Sequence, residues 1–187
     1  MDSGRIIIQE ERFALTIDRL CYELIERCSK FEDICLVGVQ PRGSLLSDRV
    51  YQRLCHLAPD LVLQYGKLDI TFYRDDFRTR QKPLRASVTD MNFLVEGKHV
   101  ILIDDVLYTG RTIQAALTAL NHYGRPREVE LMVLVDRRFN RVLPIHADYV
   151  GITVDAVDHA YVRVIWHEKE GLDQVVLYPS KEAAQGS

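Results

Sequence analysis

The segment Val100-Ile101-Leu102-Ile103-Asp104-Asp105-Val106-Leu107-Tyr108-Thr109-Gly110-Arg111-Thr112 decides the fold. Its first four residues are apolar without alternation, which marks a strand covered on both faces and therefore a parallel sheet. Two acids follow directly. Successive strand residues point to opposite sides, so both acids can serve one ligand only where the strand has ended. The turn Thr109-Gly110-Arg111-Thr112 then opens a helix over residues 112–123, with Ile113, Ala116, Leu117 and Leu120 inward. The unsatisfied N–H groups of its first turn and the threonine hydroxyls form a phosphate cradle. Arg111 opposes the helix dipole by about 0.3–1 kcal/mol, a conflict that a bound phosphate removes. Asp104 and Asp105 suit hydroxyl donors such as a ribose 2′- and 3′-OH. Sugar acceptors beside a phosphate cradle point to a ribose 5-phosphate ligand. An isolated Asp-Asp pair more often ends a strand in solvent with a threonine capping the next helix, but the whole pattern outweighs that reading. The second glycine and the Gly-Lys-Ser/Thr ending of a P-loop are absent.

Outward from this segment, strands alternate with helices. Phe13, Ile17, Leu20, Leu24, Ile25 and Cys28 recur at helical spacing, predicting a helix over residues 10–29. A buried strand at residues 34–39 leads through Pro41-Arg42-Gly43 into a helix over residues 44–57. Leu68, Ile70 and Phe72 alternate with Asp69, Thr71 and Tyr73, as in a half-exposed strand. Residues 74–96, with Arg74, Asp75, Asp76, Arg78, Arg80, Lys82, Pro83 and Arg85, have the polarity of a functional loop. Residues 98–103 form a strand, and another apolar strand over 129–135 ends at Asp136 and Arg137. Residues 149–154, 162–166 and 174–178 read as later strands, and 180–187 as a frayed tail. The whole is an α/β fold, a parallel sheet flanked by helices, in a single domain spanning 1–187. Ligands in such sheets bind beyond the carboxyl ends of the strands.

With 47% hydrophobic and 27% charged residues, the chain has the balance of a soluble globular protein and not of a disordered one. No apolar run reaches the length of a membrane span, and the three isoleucines after Arg5 do not make a signal peptide. A cytoplasmic location is expected. Cys21, Cys28, Cys35 and Cys55 form no Cys-x-x-Cys pair and the six histidines no metal-ligand spacing, so a protein-held transition metal is not expected. A net charge of −3 argues against a surface that binds nucleic acid throughout, though not against a local basic patch. Arg137, Arg138 and Arg141, with His146 nearby, are the best such cluster; a solvated face is the plainer reading of it.

Residues 100–112 resemble the PRPP (phosphoribosyl pyrophosphate) signature of the type I phosphoribosyltransferases. The string from Asp104 to Thr112 is most similar to the group that joins uracil phosphoribosyltransferase activity to attenuation of pyrimidine operons. Leu36-Val37-Gly38, Arg42-Gly43, Asp69-Ile70-Thr71, Tyr73-Arg74-Asp75-Asp76, Gly124-Arg125-Pro126, Leu134-Val135-Asp136-Arg137, Leu143-Pro144-Ile145 and Ala147-Asp148-Tyr149 also match, so that the resemblance spans residues 10–152, and the pattern departs after Gly151. It implies a small hood over the sheet and transfer of ribose 5-phosphate from PRPP to uracil, giving UMP and pyrophosphate. Asp104 and Asp105 would hold the ribose hydroxyls, with Arg42 acting beside them in catalysis. Leu107, Tyr108, Thr109, Gly110, Arg111 and Thr112 would wrap the 5-phosphate. Pro41, Arg42 and Gly43 would form the pyrophosphate loop, with a cis peptide before the arginine, at Pro41–Arg42. Arg74, Asp75 and Asp76 fall in a loop that closes over PRPP, and Asp136 and Arg137 lie near the base. Mg²⁺ would be held mainly by PRPP and by no protein cage alone. A homodimer or higher oligomer is implied. The alternatives are an RNA-binding attenuator acting on an mRNA leader, with the enzyme site as a UMP sensor, or a phosphoribosyltransferase for another base. The RNA-contacting helix of the resembled group carries Thr and His where this chain has Asp18 and Tyr22, and His146 replaces another of its basic positions. A carboxylate facing phosphates is unfavourable, so weak RNA affinity is expected.

Overall fold

The computed structural model describes residues 4–27, 33–74, 87–157 and 159–185. Five parallel strands form the main sheet in the order β3-β2-β4-β5-β6, where β2 is Ile34–Val39, β3 Gln64–Leu68, β4 His99–Leu107, β5 Glu128–Arg138 and β6 Tyr149–Asp155. The strand carrying the two acids is the central one. Alternate residues feed two cores. Ile101 and Ile103 pack with α1 (Glu10–Arg27) and α2 (Gly43–Leu57) on one face, while Val100 and Leu102 pack with α3 (Arg111–Leu120) on the other.

A second, antiparallel sheet joins the two ends of the chain in the order β1-β8-β7, with β1 Arg5–Gln9, β7 Tyr161–Ile165 and β8 Gln174–Tyr178. This is the hood. Trp166 at its base meets Phe13 of α1 edge-on, with ring centroids 5.3 Å apart. Arg49 of α2 lies over both rings and forms ion pairs with Glu168 and Asp173 on either side of the turn after β7. The aromatic pair supplies apolar area, and the arginine fork fixes the angle between hood and sheet.

Several boundaries differ from the sequence reading. The strand expected at residues 68–73 lies earlier, at β3. Asp69 stops it by accepting hydrogen bonds at Oδ1 from the Thr71 N–H and hydroxyl, and a 3-10 turn follows at Thr71–Tyr73 that leaves Phe72 exposed. The third helix ends at Leu120, and residues 121–123 tighten into a 3-10 turn. The tail is not frayed throughout: α5 (Lys181–Gln185) buries Ala184 against Val176 and Tyr178. The sequence reading left β1 unassigned, because only Ile8 of its five residues is buried and its partner is β8, at the other end of the chain. The cis peptide is Gln40–Pro41, one bond earlier than expected and an ordinary X-Pro bond. Asp75, Asp76, Arg78, Arg80, Lys82, Pro83, Arg85 and Cys28 lie outside the described residues.

Candidate active site

β4 does not stop at Ile103. It continues to Leu107, paired with β5 as far as Leu107 opposite Asp136, whereas its pairing with β2 ends at Gly38 opposite Ile103. Asp104 and Asp105 therefore stand where the central strand has lost one neighbour. The gap is occupied by the loop from Gln40 to Gly43 and the start of α2. Gly43 approaches so closely that a Cβ there would lie 2.6 Å from the Ile103 carbonyl oxygen and 2.9 Å from Asp104 Oδ1. Only glycine allows this packing of loop on strand.

Both acids are more than nine-tenths buried. Asp104 Oδ1 accepts the Asp105 N–H at 2.9 Å. Burial pushes the Asp104 carboxyl well above the usual carboxylate range, and the negative charge of Asp105 adds to this. The Asp105 N–H and the charges of Arg42 and Arg74 pull the other way. Arg42 bonds to Asp105 directly, Nε to Oδ2 at 2.8 Å. Burial would lower the Arg42 pKa, but Asp105 and Tyr161 outweigh it and raise it. The structure thus brings together Asp104, Asp105, Arg42, Gly43 and Arg74, which the sequence placed on separate segments.

Beyond the acids, Gly110 caps α3 with φ at +89°, a left-handed conformation that other residues seldom adopt. It turns the chain so that the first turn of α3 faces the same rim. The loop after β5 braces this turn from behind. The N–H groups of Val142 and Leu143 donate to the Thr109 carbonyl at 3.0 and 3.1 Å, and Arg141 donates to the Tyr108 carbonyl and to Asp136. Arg137 is buried, with its guanidinium 3.8 Å from the centre of the Tyr108 ring and one N–H directed to the Val157 carbonyl.

The expected basic cluster therefore does not form a patch. Arg137 is under Tyr108, Arg138 pairs with Asp155, and Arg141 holds the turn between β4 and α3. Arg138 keeps a solvated position beside Asp155, while Arg137 and Arg141 are turned to contacts within the fold. Sequence reading missed the bracing role of Arg141, whose only signal is its place five residues after Asp136. It also missed the hood's contact with Arg42, which has no local signal. Asp18 differs too: Arg53 binds it through both carboxylate oxygens, at 2.7 and 2.8 Å, so it presents no bare charge. Among the described residues, one set of metal-capable groups, His99, Glu128 and Glu130, lies toward the opposite end of β4 and β5, where Glu130 already takes His99 and the Tyr149 hydroxyl.

The phosphoribosyl transferase domain model matches residues 5–170. A protein of Enterococcus faecalis named bifunctional protein PyrR is 44% identical over 166 residues, 89% of this chain and 92% of its own. One of the same name from Haemophilus ducreyi is 43% identical over 176 residues, covering 94% and 97%. Among solved structures, a hypoxanthine phosphoribosyltransferase from Staphylococcus aureus matches with a TM-score of 0.64 at 20% identity, over 82% of this chain and 78% of its own; that likeness is one of fold.

The buried Asp104 carboxyl has a consequence for stability. A carboxyl raised in the folded state keeps its proton after the unfolded chain has lost its own, so stability is full below pH ~4 and falls as pH rises through the folded value. Asp104→Asn removes that loss and keeps the oxygen that accepts the Asp105 N–H. We expect the variant to be more stable than the wild type at pH 8 by about 1–3 kcal/mol in urea unfolding, with the gap closing toward pH 4. A variant less stable at both pH values would contradict the assignment.

Proposed function

We propose that this chain, which belongs to the phosphoribosyl transferase domain family, transfers ribose 5-phosphate from PRPP to uracil, giving UMP and pyrophosphate. The observation that carries this is the junction at the end of β4, where two buried acids in the last strand residues are followed directly by a glycine-capped helix start. Asp104 and Asp105 accept hydrogen bonds from the ribose hydroxyls and keep the sugar oriented as the bond at C1 lengthens. The backbone from Leu107 to Thr112 holds the 5-phosphate, Arg42 and Gly43 face the departing pyrophosphate, and Arg74 lies on the side from which a closing loop would come. Positive charge at Arg42 stabilises the leaving group as its charge grows. Mg²⁺ fits this donor set only as an ion held mainly by PRPP and water, since Asp104 is buried and Asp105 is engaged by Arg42. When bound it would neutralise charge on the pyrophosphate.

The base side favours a pyrimidine. In 6-oxopurine phosphoribosyltransferases the position of Tyr108 carries an aspartate placed to handle the purine N7 proton. Here a phenol stands there with the Arg137 cation stacked on it. An uncharged ring backed by a cation is a poor match for a purine that gains positive charge in its imidazole ring.

The same reading includes a regulatory role, binding of UMP-dependent affinity to the leader of a pyrimidine-gene mRNA, supported by the relatives named as bifunctional. A homodimer or higher oligomer follows from the family resemblance. Cys21, Cys35 and Cys55 are free thiols, which suits a reducing compartment such as the cytoplasm, and among the described residues no helix is long and apolar enough to cross a membrane.

Two measurements test these readings. With PRPP and Mg²⁺, turnover is expected with uracil and to exceed that with orotate, hypoxanthine or guanine; a purine turned over faster than uracil would overturn the base assignment. In filter binding with and without UMP, leader RNA is expected to bind more tightly when UMP is present; RNA affinity that UMP leaves unchanged would remove the regulatory role.

A further inference from the structure

Where the hood meets Arg42 there is a pocket of about 130 Å³, lined by Arg42, Arg163, Val164, Trp166, Lys169 and Glu170. Arg42 is fixed at its wall by two bonds, from a terminal nitrogen to the Val164 carbonyl at 2.9 Å and from Nε to Asp105 at 2.8 Å. Three of the six lining side chains are cationic and one is anionic. Arg163 answers the anionic one, donating to Glu170 at 2.6 Å, and gives another N–H to the Ala184 carbonyl at 3.1 Å. Asp105 answers Arg42. The Lys169 ammonium has no hydrogen bond or ion pair among the described residues, so one positive charge is left over.

A second group is also left over. Trp166 is 2% exposed, and its indole N–H has no hydrogen-bond partner among the described residues, whereas a buried indole donor usually finds one. A surplus cation and an orphaned donor on residues that line one space call for the same occupant, a compact anion with several acceptor oxygens. Tetrahedral phosphate has that chemistry. The space is well below the ~300–1,000 Å³ of pockets that take drug-sized ligands, so it suits a free ion and is too small for a nucleoside with base and sugar.

We propose that this pocket is a second anion site, which takes free inorganic phosphate and shares Arg42 with the place of pyrophosphate. Phosphate held at Lys169 attracts the Arg42 guanidinium toward the hood and away from Asp105, so phosphate and PRPP compete for one arginine. The site itself rests on the pocket alone, and the competition rests on the phosphoribosyltransferase reading above. Glu170 opposes the anion, because its carboxylate repels phosphate and occupies Arg163.

Trp166 is the only tryptophan of the chain, so its fluorescence reports on the pocket directly. Titration with inorganic phosphate at constant ionic strength should change that fluorescence saturably, with calorimetry as a second readout. Lys169→Gln should weaken phosphate binding by about threefold to tenfold, and Glu170→Gln should tighten it by about twofold to fivefold. In steady-state kinetics phosphate should raise KM for PRPP. Lys169→Gln should diminish that rise, while its kcat and KM without phosphate stay within about twofold of the wild type. The site is overturned if no saturable binding is seen, if both readouts give the same affinity for the wild type and Lys169→Gln, or if chloride reproduces the fluorescence change. Glycerol 3-phosphate binding more tightly than free phosphate would overturn the assignment to a free ion. An equal rise of KM in the wild type and Lys169→Gln would overturn the sharing of Arg42. A wild-type protein that does not use PRPP would remove the phosphoribosyltransferase reading, while phosphate binding that depends on Lys169 would still establish the site.

Discussion

The pairing of Arg42 with the buried acids at the end of β4 is the constraint on which the rest of the structure depends. Two unit charges 4 Å apart in a partly shielded site interact by about 4 kcal/mol, a large share of the ~5–15 kcal/mol by which a domain is stable. Asp104 and Asp105 cannot both sit buried and ionised without an answer to that repulsion. Part of the answer is that burial and the Asp105 charge push the Asp104 carboxyl toward its neutral form, and part is the guanidinium on Asp105. For Arg42 to be there, its loop must approach the strand within the distance that Gly43 permits, and the hood must lie where β7 can hold the other side of the arginine. The hood in turn is fixed by Arg49 and by Trp166 against Phe13. A chain of contacts thus links the two ends of the polypeptide to one carboxylate.

This arrangement is poorer for stability than an apolar strand end would be, and that is the expected signature of a functional site. Buried acceptors are placed where hydroxyl donors would arrive, and a cation is held nearby where an anion would leave. The cradle at the start of α3 is built on the same rim, and its shape is held by backbone bonds from Val142 and Leu143 to Thr109 rather than by its own sequence.

Much of this was legible from residues alone where the signal is local. The apolar run before Asp104, the glycine at 110 and the helical spacing from Phe13 to Leu24 each correspond to an observed element. What was not legible is what the chain brings together across long separations. β1 has a single buried side chain, and nothing in its five residues names β8 as partner. Residues 68–73 alternate as a strand should, yet the carboxylate of Asp69 captures the backbone two residues on and ends the strand early. The arginines at 137, 138 and 141 look alike in sequence, but they find an aromatic ring, an exposed aspartate and a carbonyl respectively, so each has a partner that spacing does not name. Asp18 likewise looked like an exposed negative charge until Arg53 was placed beside it.

A crystal structure of the chain with UMP tests the central claim most directly. The account predicts the 5′-phosphate against the backbone of residues 109–112, the ribose hydroxyls on Asp104 and Asp105, and the uracil ring beside Tyr108 and Arg137. UMP bound elsewhere, with the carboxylates of Asp104 and Asp105 out of hydrogen-bond reach of its ribose, would contradict it.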